Sequence, residues 1–167
     1  MAHSQDDFLS GLTNLQWLAL TSNPIKDIKP LAGLTNLQGL YLDNNQITDV
    51  SPIAGLTNLQ WLGLWSNQIT DISPLAGLTN LQGLGLWNNQ ITDIRPLAGL
   101  TNLQGLDLDN NQITDITPLV SNIGIGAGDY IYLRNNPLSD NARNVSIPAL
   151  RDRGVRVFFE PFDFGVK

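Results

Sequence analysis

Residues 36–57 read NLQGLYLDNNQITDVSPIAGLT, and nearly the same phrase follows at 58–79 and again at 80–101. Looser copies occupy 14–35 and 102–122, so five consecutive units align at a step of 22 residues. A self-similar period of this size marks an array of stacked coils. In Leu-x-Leu the side chains alternate across a short extended segment, so Leu40 and Leu42 point inward and Tyr41 outward. Each unit should therefore add one strand to a parallel sheet. The asparagines at 23, 45, 67, 89, 111 and 136 follow the strand where the chain turns, and a buried amide there can serve backbone groups that the turn leaves unpaired. They are expected to form a ladder. Proline at 30, 52, 74, 96 and 118 suits the first turn of a short helix, because its φ is fixed and its missing N–H costs nothing there. Leu-Ala-Gly-Leu then supplies one compact 3₁₀ or α turn before the next strand. So short a coil leaves no room for a long helix, and the convex side should be thin.

A unit of this kind cannot bury its leucines alone, and stacking hides each row against its neighbours. The ends then need cover. A sixth, degenerate unit follows a glycine-rich insertion at 123–128 and carries Ile131, Leu133, Asn136 and Leu138. Beyond it, 139–153 reads as a helix and 155–159 as a closing strand, with Phe158, Phe159, Phe162 and Phe164 as an apolar cover. The division expected is a disordered-looking stretch at 1–7, the array at 8–138 and a cap at 139–167. At the amino end only Phe8-Leu9-Ser10-Gly11-Leu12-Thr13 precedes the first full unit. That leaves the first coil poorly covered, as in a fragment of a longer array or a chain that meets another there.

The 167 residues are 42% hydrophobic and 14% charged, enough apolar side chains to form a core. Nine basic against fifteen acidic residues give a net charge of -6. This argues against nucleic acid and anionic membranes, which are held through a positive footprint. No apolar run reaches the length of a spanning helix. With no cysteine, and His3 the single histidine, thiolate nucleophiles, histidine-based triads and zinc centres lack their usual residues. No cofactor is implied.

The Asn-Gln-Ile-Thr-Asp-Ile and Pro-Leu-Ala-Gly-Leu-Thr phrases, repeated from about residue 8 to 138, closely resemble the leucine-rich repeats of internalin-like bacterial surface proteins. The final Tyr132-Leu-Arg-Asn-Asn-Pro-Leu-Ser, with Ile147-Pro-Ala-Leu-Arg-Asp-Arg-Gly-Val after it, is similar to the way related arrays end. The resemblance implies an α/β fold, a right-handed leucine-rich repeat solenoid with a parallel sheet on its concave face and short 3₁₀ or α turns on its convex face. It also implies a non-catalytic protein binder with exposed concave aromatics, secreted or at a cell surface. The chain departs from the internalins in lacking their helical amino cap, a following immunoglobulin-like region and a wall-anchoring tail, so host-cell invasion is not implied.

Since the framework repeats for packing reasons, information about a partner must sit where the units differ. Those positions point outward from the strands: Trp17, Ala19 and Thr21, then Gly39, Tyr41 and Asp43, then Trp61, Gly63 and Trp65, then Gly83, Gly85 and Trp87. The series continues with Gly105, Asp107 and Asp109 and ends with Tyr130, Tyr132 and Arg134. All 4 Trp and all 3 Tyr fall in this set. Clustered outward aromatics offer large, rigid contact area with a polar handle, which makes these residues candidates for binding a protein or peptide. With coils about 4.8 Å apart, Trp65 and Trp87 should touch, and Trp17 and Trp61, about 10 Å apart across Gly39, should frame a slot for a planar group, a sugar or a proline. Glycine is a poor strand residue, so its recurrence here suits a close approach to the backbone. A competing reading is that each Trp simply lies flat over a neighbouring glycine, as aromatics can rescue glycines in sheets.

Weaker features are read structurally. Asp27, Asp49, Asp71, Asp93 and Asp115 recur once per coil as turn-capping or solvated carboxylates. Asp107 and Asp109 share one outward face, with Asp43 distant, and suit a basic partner better than calcium, which wants about six or more oxygens. Arg134 should pair with Asp109. The glycines near 124–128 lack the lysine and the helix of a phosphate loop. Two alternatives stay open beside protein binding: carbohydrate stacked on Trp and Tyr, and a scaffold without natural ligand. The second includes a consensus-designed one, since units two and four differ at only five positions. Self-association through the aromatics or the amino end is a further expectation.

Overall fold

The structure, a computed structural model, describes residues 11–160. Phe8, Leu9, Phe162, Phe164, His3 and the 1–7 stretch lie outside the described residues. One parallel sheet runs through the rest, with strands β1 Trp17–Ala19, β2 Gly39–Tyr41, β3 Trp61–Gly63, β4 Gly83–Gly85, β5 Gly105–Asp107, β6 Tyr130–Tyr132 and β7 Arg156–Phe158, paired in sequence order. Register is kept at every step: Leu18 faces Leu40, then Leu62, Leu84, Leu106, Ile131 and Val157. Equivalent positions of successive units therefore form columns, and this one is aliphatic throughout. From Leu40 onward these inward residues are at most 4% exposed. Leu15, Leu18, Leu20 and Ile25 are only partly buried, although their counterparts one coil on, Leu37, Leu40, Leu42 and Ile47, are fully buried.

The expected asparagine ladder is present, and it joins coils rather than merely closing turns. Asn67 Nδ2 donates to Leu64 O of its own coil and to Leu42 O of the preceding one, each at 3.0 Å, while its Oδ1 accepts from Ile47 N at 3.0 Å. Asn45, Asn89, Asn111 and Asn136 repeat the pattern. Asn23 is exposed and, among the described residues, bonds only within its own coil. The sharp change of direction falls one residue earlier than the sequence suggested. Ser22, Asn44, Ser66, Asn88, Asn110 and Asn135 all adopt φ between 53° and 60°. Serine and asparagine tolerate that left-handed region better than bulky residues do, because a short polar side chain can bond locally.

The return segments are the expected single turns. Short 3₁₀ helices at Lys29–Leu31, Ser51–Ile53, Ser73–Gly77 and Arg95–Gly99 all have proline in the first turn. In the fifth coil the turn becomes α1, Thr117–Ser121. Asp27, Asp49, Asp71, Asp93 and Asp115 each accept the N–H two residues on, at 2.8–2.9 Å, which makes them turn-capping carboxylates.

After β6 a helix spans 140–152, with a π turn at Ala142–Ser146 followed by α2, Ile147–Asp152. Its junction with the array is polar. Asn122 stands where other coils carry a buried leucine and is itself fully buried, donating to Leu97 O and Leu100 O and accepting from Gly124 N. Arg153 donates to Asn122 O and Leu119 O. A Cβ on Gly124 would fall within 2 Å of Thr101 O (1.9 Å), so the insertion is a close backbone contact rather than a ligand loop.

Removing a ladder amide in the middle of the array leaves two carbonyls and one N–H buried without that partner. At about 1–3 kcal/mol for each unsatisfied buried group, Asn67→Ala should lower unfolding free energy by roughly 3 kcal/mol or more in urea titration. Asn23→Ala should cost less than about 1 kcal/mol. Equal losses would mean that inter-coil bonding is not what the ladder contributes.

Candidate functional site

Because the strands are in register, the outward side chains form three columns running across the coils. The first contains Trp17, Gly39, Trp61, Gly83, Gly105 and Tyr130, and the second Ala19, Tyr41, Gly63, Gly85, Asp107 and Tyr132. Residues just past the strands form the third: Thr21, Asp43, Trp65, Trp87, Asp109 and Arg134. Trp17, Trp61, Trp65 and Tyr130 are exposed, at 36–49%, and Tyr41, Trp87 and Tyr132 are half-buried. Trp65 and Trp87 meet as expected, with ring centroids 5.8 Å apart and planes tilted by 47°.

The aromatics lie down on the glycines. A Cβ on Gly39 would sit 2.1 Å from Trp17 Cε3, and one on Gly83 would sit 2.3 Å from Trp61 Cε3. Tyr130 leans the other way and covers Gly105, at 2.5 Å from the same construction. Two sequence expectations change as a result. The slot between Trp17 and Trp61 is filled, because the Trp17 ring occupies the space over Gly39. Gly63 is covered not by an indole but by the Asp43 carboxylate, whose Oδ1 would lie 2.6 Å from a Cβ there.

Asp43 is thus not the solvent-facing acid expected. It is 3% exposed and its Oδ1 accepts from Trp65 N at 3.1 Å. Burial pushes its carboxyl above the ordinary range, partly offset by the hydrogen bonds from Trp65. Asp107 and Asp109 are raised for the same leading reason. They do not act as an open pair: Asp109 N donates to Asp107 Oδ1 at 3.1 Å, and Asp109 is bound to Arg134 through the backbone N–H and an ion pair of 3.2 Å. Arg134 also lies 5.2 Å from the centroid of Tyr132, which stacks on Phe158 at 4.8 Å. Phe158 belongs to the same surface and was read from sequence only as part of the cap. Its place one coil after Tyr132 in the Leu-x-Leu alternation was the available signal.

Between the columns lies a hollow of about 330 Å³. It is lined by the rings of Trp61, Trp65, Tyr130 and Tyr132, by Asp43 and Asp107, and by strand glycines including Gly85. A larger trough, about 780 Å³, runs beside the sheet and was not anticipated. Asn36, Asn58, Asn80 and Asn102 line it and donate to the carbonyls of Thr13, Thr35, Thr57 and Thr79, a second ladder linking coils. Gln16, Gln38, Gln60 and Gln82 complete its wall. The unvarying Asn-Leu-Gln of each unit was the clue. Among the described residues no three acidic or histidine side chains gather as a metal site. None of the described helices is long and apolar enough to cross a membrane.

Residues 13–55, 57–86 and 79–121 match the family described as Leucine Rich repeats (2 copies). Among solved structures, internalin C2 of Listeria monocytogenes is 44% identical with a TM-score of 0.78, covering 90% of this chain and 64% of its own. A second internalin of that organism is 34% identical with a TM-score of 0.75, covering 93% and 52%. A leucine-rich repeat protein of Leptospira interrogans is 25% identical, TM-score 0.65, with 93% and 47% covered. The chain thus spans about half to two thirds of the length of these structures. No curated protein sequence matches it.

Two tests address the geometry. Gly83→Ala should lift Trp61 off the sheet, increasing acrylamide quenching of tryptophan fluorescence while far-UV circular dichroism stays unchanged. Gly77→Ala, with nothing within 4 Å of the new methyl, should leave quenching as it was. Asp43, with its folded-state pKa raised, binds its proton more tightly in the native state, so its contribution to stability is fully present below the unfolded pKa and is lost as pH rises through the folded one. Asp43→Asn should therefore raise the unfolding midpoint at pH 7, with the advantage shrinking as pH falls below about 4. A variant less stable than the parent at pH 7 would contradict the assignment.

Proposed function

Because the chain belongs to the leucine-rich repeat family and its units are internalin-like, we propose that it is a non-enzymatic binding module whose aromatic concave columns receive a protein or peptide. An internalin-like repeat array is a protein-interaction architecture, and the finer reading concerns which face binds. The observation that carries it is the confinement of every Trp and Tyr to outward positions on one face, when a core of leucine and isoleucine had no need of them. An exposed aromatic patch of this kind exceeds what a framework requires. The rings are also ordered before any partner arrives. Trp17 and Trp61 rest on glycine backbone and Trp65 leans on Trp87, so less side-chain entropy is lost on association than for rings free in solvent.

On this reading Trp17, Tyr41, Trp61, Trp65, Trp87, Tyr130 and Tyr132 supply contact area, Asp107, Asp109 and Arg134 supply orientation at its margins, and the buried Asp43 holds Trp65 through its backbone N–H. Hot-spot energetics concentrate in a few buried aromatics, so the Trp61, Trp65 and Trp87 group should dominate. Peptides selected by display on the intact chain should lose binding by about a hundredfold or more on the triple replacement of these residues with Ala, with circular dichroism preserved. Selected peptides that bind the triple variant as tightly as the parent would place recognition elsewhere.

A further inference from the structure

The hollow between the columns has a chemistry more specific than an aromatic patch, and three observations converge on it. Its lining combines aromatic rings with the carboxylates of Asp43 and Asp107, yet no basic side chain lines it. Among the described residues Asp109 has an ion-pair partner in Arg134, whereas neither Asp43 nor Asp107 is ion-paired. At about 330 Å³ it stands at the small end of ligand pockets, generally about 300–1,000 Å³, with space for one long side chain but not for a folded element.

The face already contains an example of what fits such a place. Arg134 sits with its guanidinium 5.2 Å from the Tyr132 centroid and 5.4 Å from that of Phe158 while pairing with the Asp109 carboxylate. Ring below and carboxylate beside is the arrangement that a planar, delocalised cation exploits, since it stacks and donates in its own plane at once. In the hollow the Trp61 ring lies over Gly83 and the Trp65 ring approaches Gly85, which brings both to the coil next to Asp107, and no basic side chain lines it. Resting on the binding-module reading, we propose that this hollow receives an arginine side chain of the protein partner, its guanidinium against the indoles and directed to Asp107. Gly85, where the side-chain atom nearest an added Cβ is Trp65 Cδ1 at 3.4 Å, is not covered as Gly63 and Gly105 are, and there the partner's side chain can reach the sheet. The net charge of -6 favours a basic partner in the encounter as well.

The test uses the intact chain and three peptides, Gly-Gly-X-Gly-Gly blocked at both ends, with X arginine, citrulline or lysine. Citrulline keeps the shape of arginine and removes its charge. Titration followed by ¹⁵N NMR of the tryptophan indole N–H signals should give saturable shifts at Trp61 and Trp65 with the arginine peptide. Affinity should be about tenfold weaker for citrulline and for Asp107→Asn, and lysine should fall between. Equal affinity for arginine and citrulline, lysine matching arginine, or no saturable shift would each overturn the proposal. The display-selected peptides separate this failure from that of the broader reading. If they still require Trp61, Trp65 and Trp87 but show no preference for arginine, only the arginine assignment falls; if they ignore those residues, both do.

Discussion

The structure depends on a side-chain amide doing the work of backbone. At each coil the chain leaves its strand through a left-handed residue, and the turn leaves two carbonyls and one N–H to be satisfied within a buried, apolar interior. One asparagine answers all three, reaching back about a coil to do so. A glutamine would be too long for that geometry and an aspartate could not donate. Because one end of the amide belongs to one coil and the other end to the next, the bond that completes a turn also sets the stacking. The second ladder, from Asn36 to Asn102, does the same on the opposite side of the strand. Pinned at both ends, a strand of three residues has no freedom to slip.

The outward columns follow from this pinning. With register fixed, a side chain on one coil always faces the same position on the next, and its surroundings are decided there. An indole beside a glycine lies flat, as Trp17 and Trp61 do. Beside another indole it tilts, as Trp65 does against Trp87. Where a carboxylate meets glycine it is drawn over the backbone and buried, as Asp43 is. Strand glycines that look like weak points in a single unit are therefore the complement of bulky residues one coil away.

This explains which parts of the molecule could be read from the chain itself. Strand, asparagine, proline turn and leucine rows repeat in every unit, so their spacing alone gave the solenoid, and the outward positions followed by alternation. The lean of each ring depends on the residue one coil away in space, so Trp17 over Gly39 was open as one of two readings and the burial of Asp43 was missed. The sharp turn was placed on the asparagine rather than on the serine or asparagine before it, because the ladder residue is the more regular of the two. The trough escaped notice for the opposite reason. Asn-Leu-Gln is so constant that it read as a connection, although its asparagine bonds between coils and its glutamine forms a wall.

A constraint on change follows from the same coupling. Framework positions are occupied by packing or by ladders, so only the outward columns are left in which the units can vary. Those columns are not independent sites. Placing a side chain at Gly39 conflicts with Trp17, and one at Gly63 conflicts with Asp43. Where a glycine lies under a side chain of a neighbouring coil, as at Gly39 and Gly63, a change to the face must therefore come in pairs, a large residue gained where its neighbour becomes small. The sequence of units two to four has this form: Tyr41 and Asp43 are followed by Gly63 and Trp65, then by Gly85 and Trp87, with the bulk passing from one column to another. Exchanging whole units should remodel this face with less strain than exchanging single residues, because a unit brings its outward side chains as a set and only its two borders need to be matched.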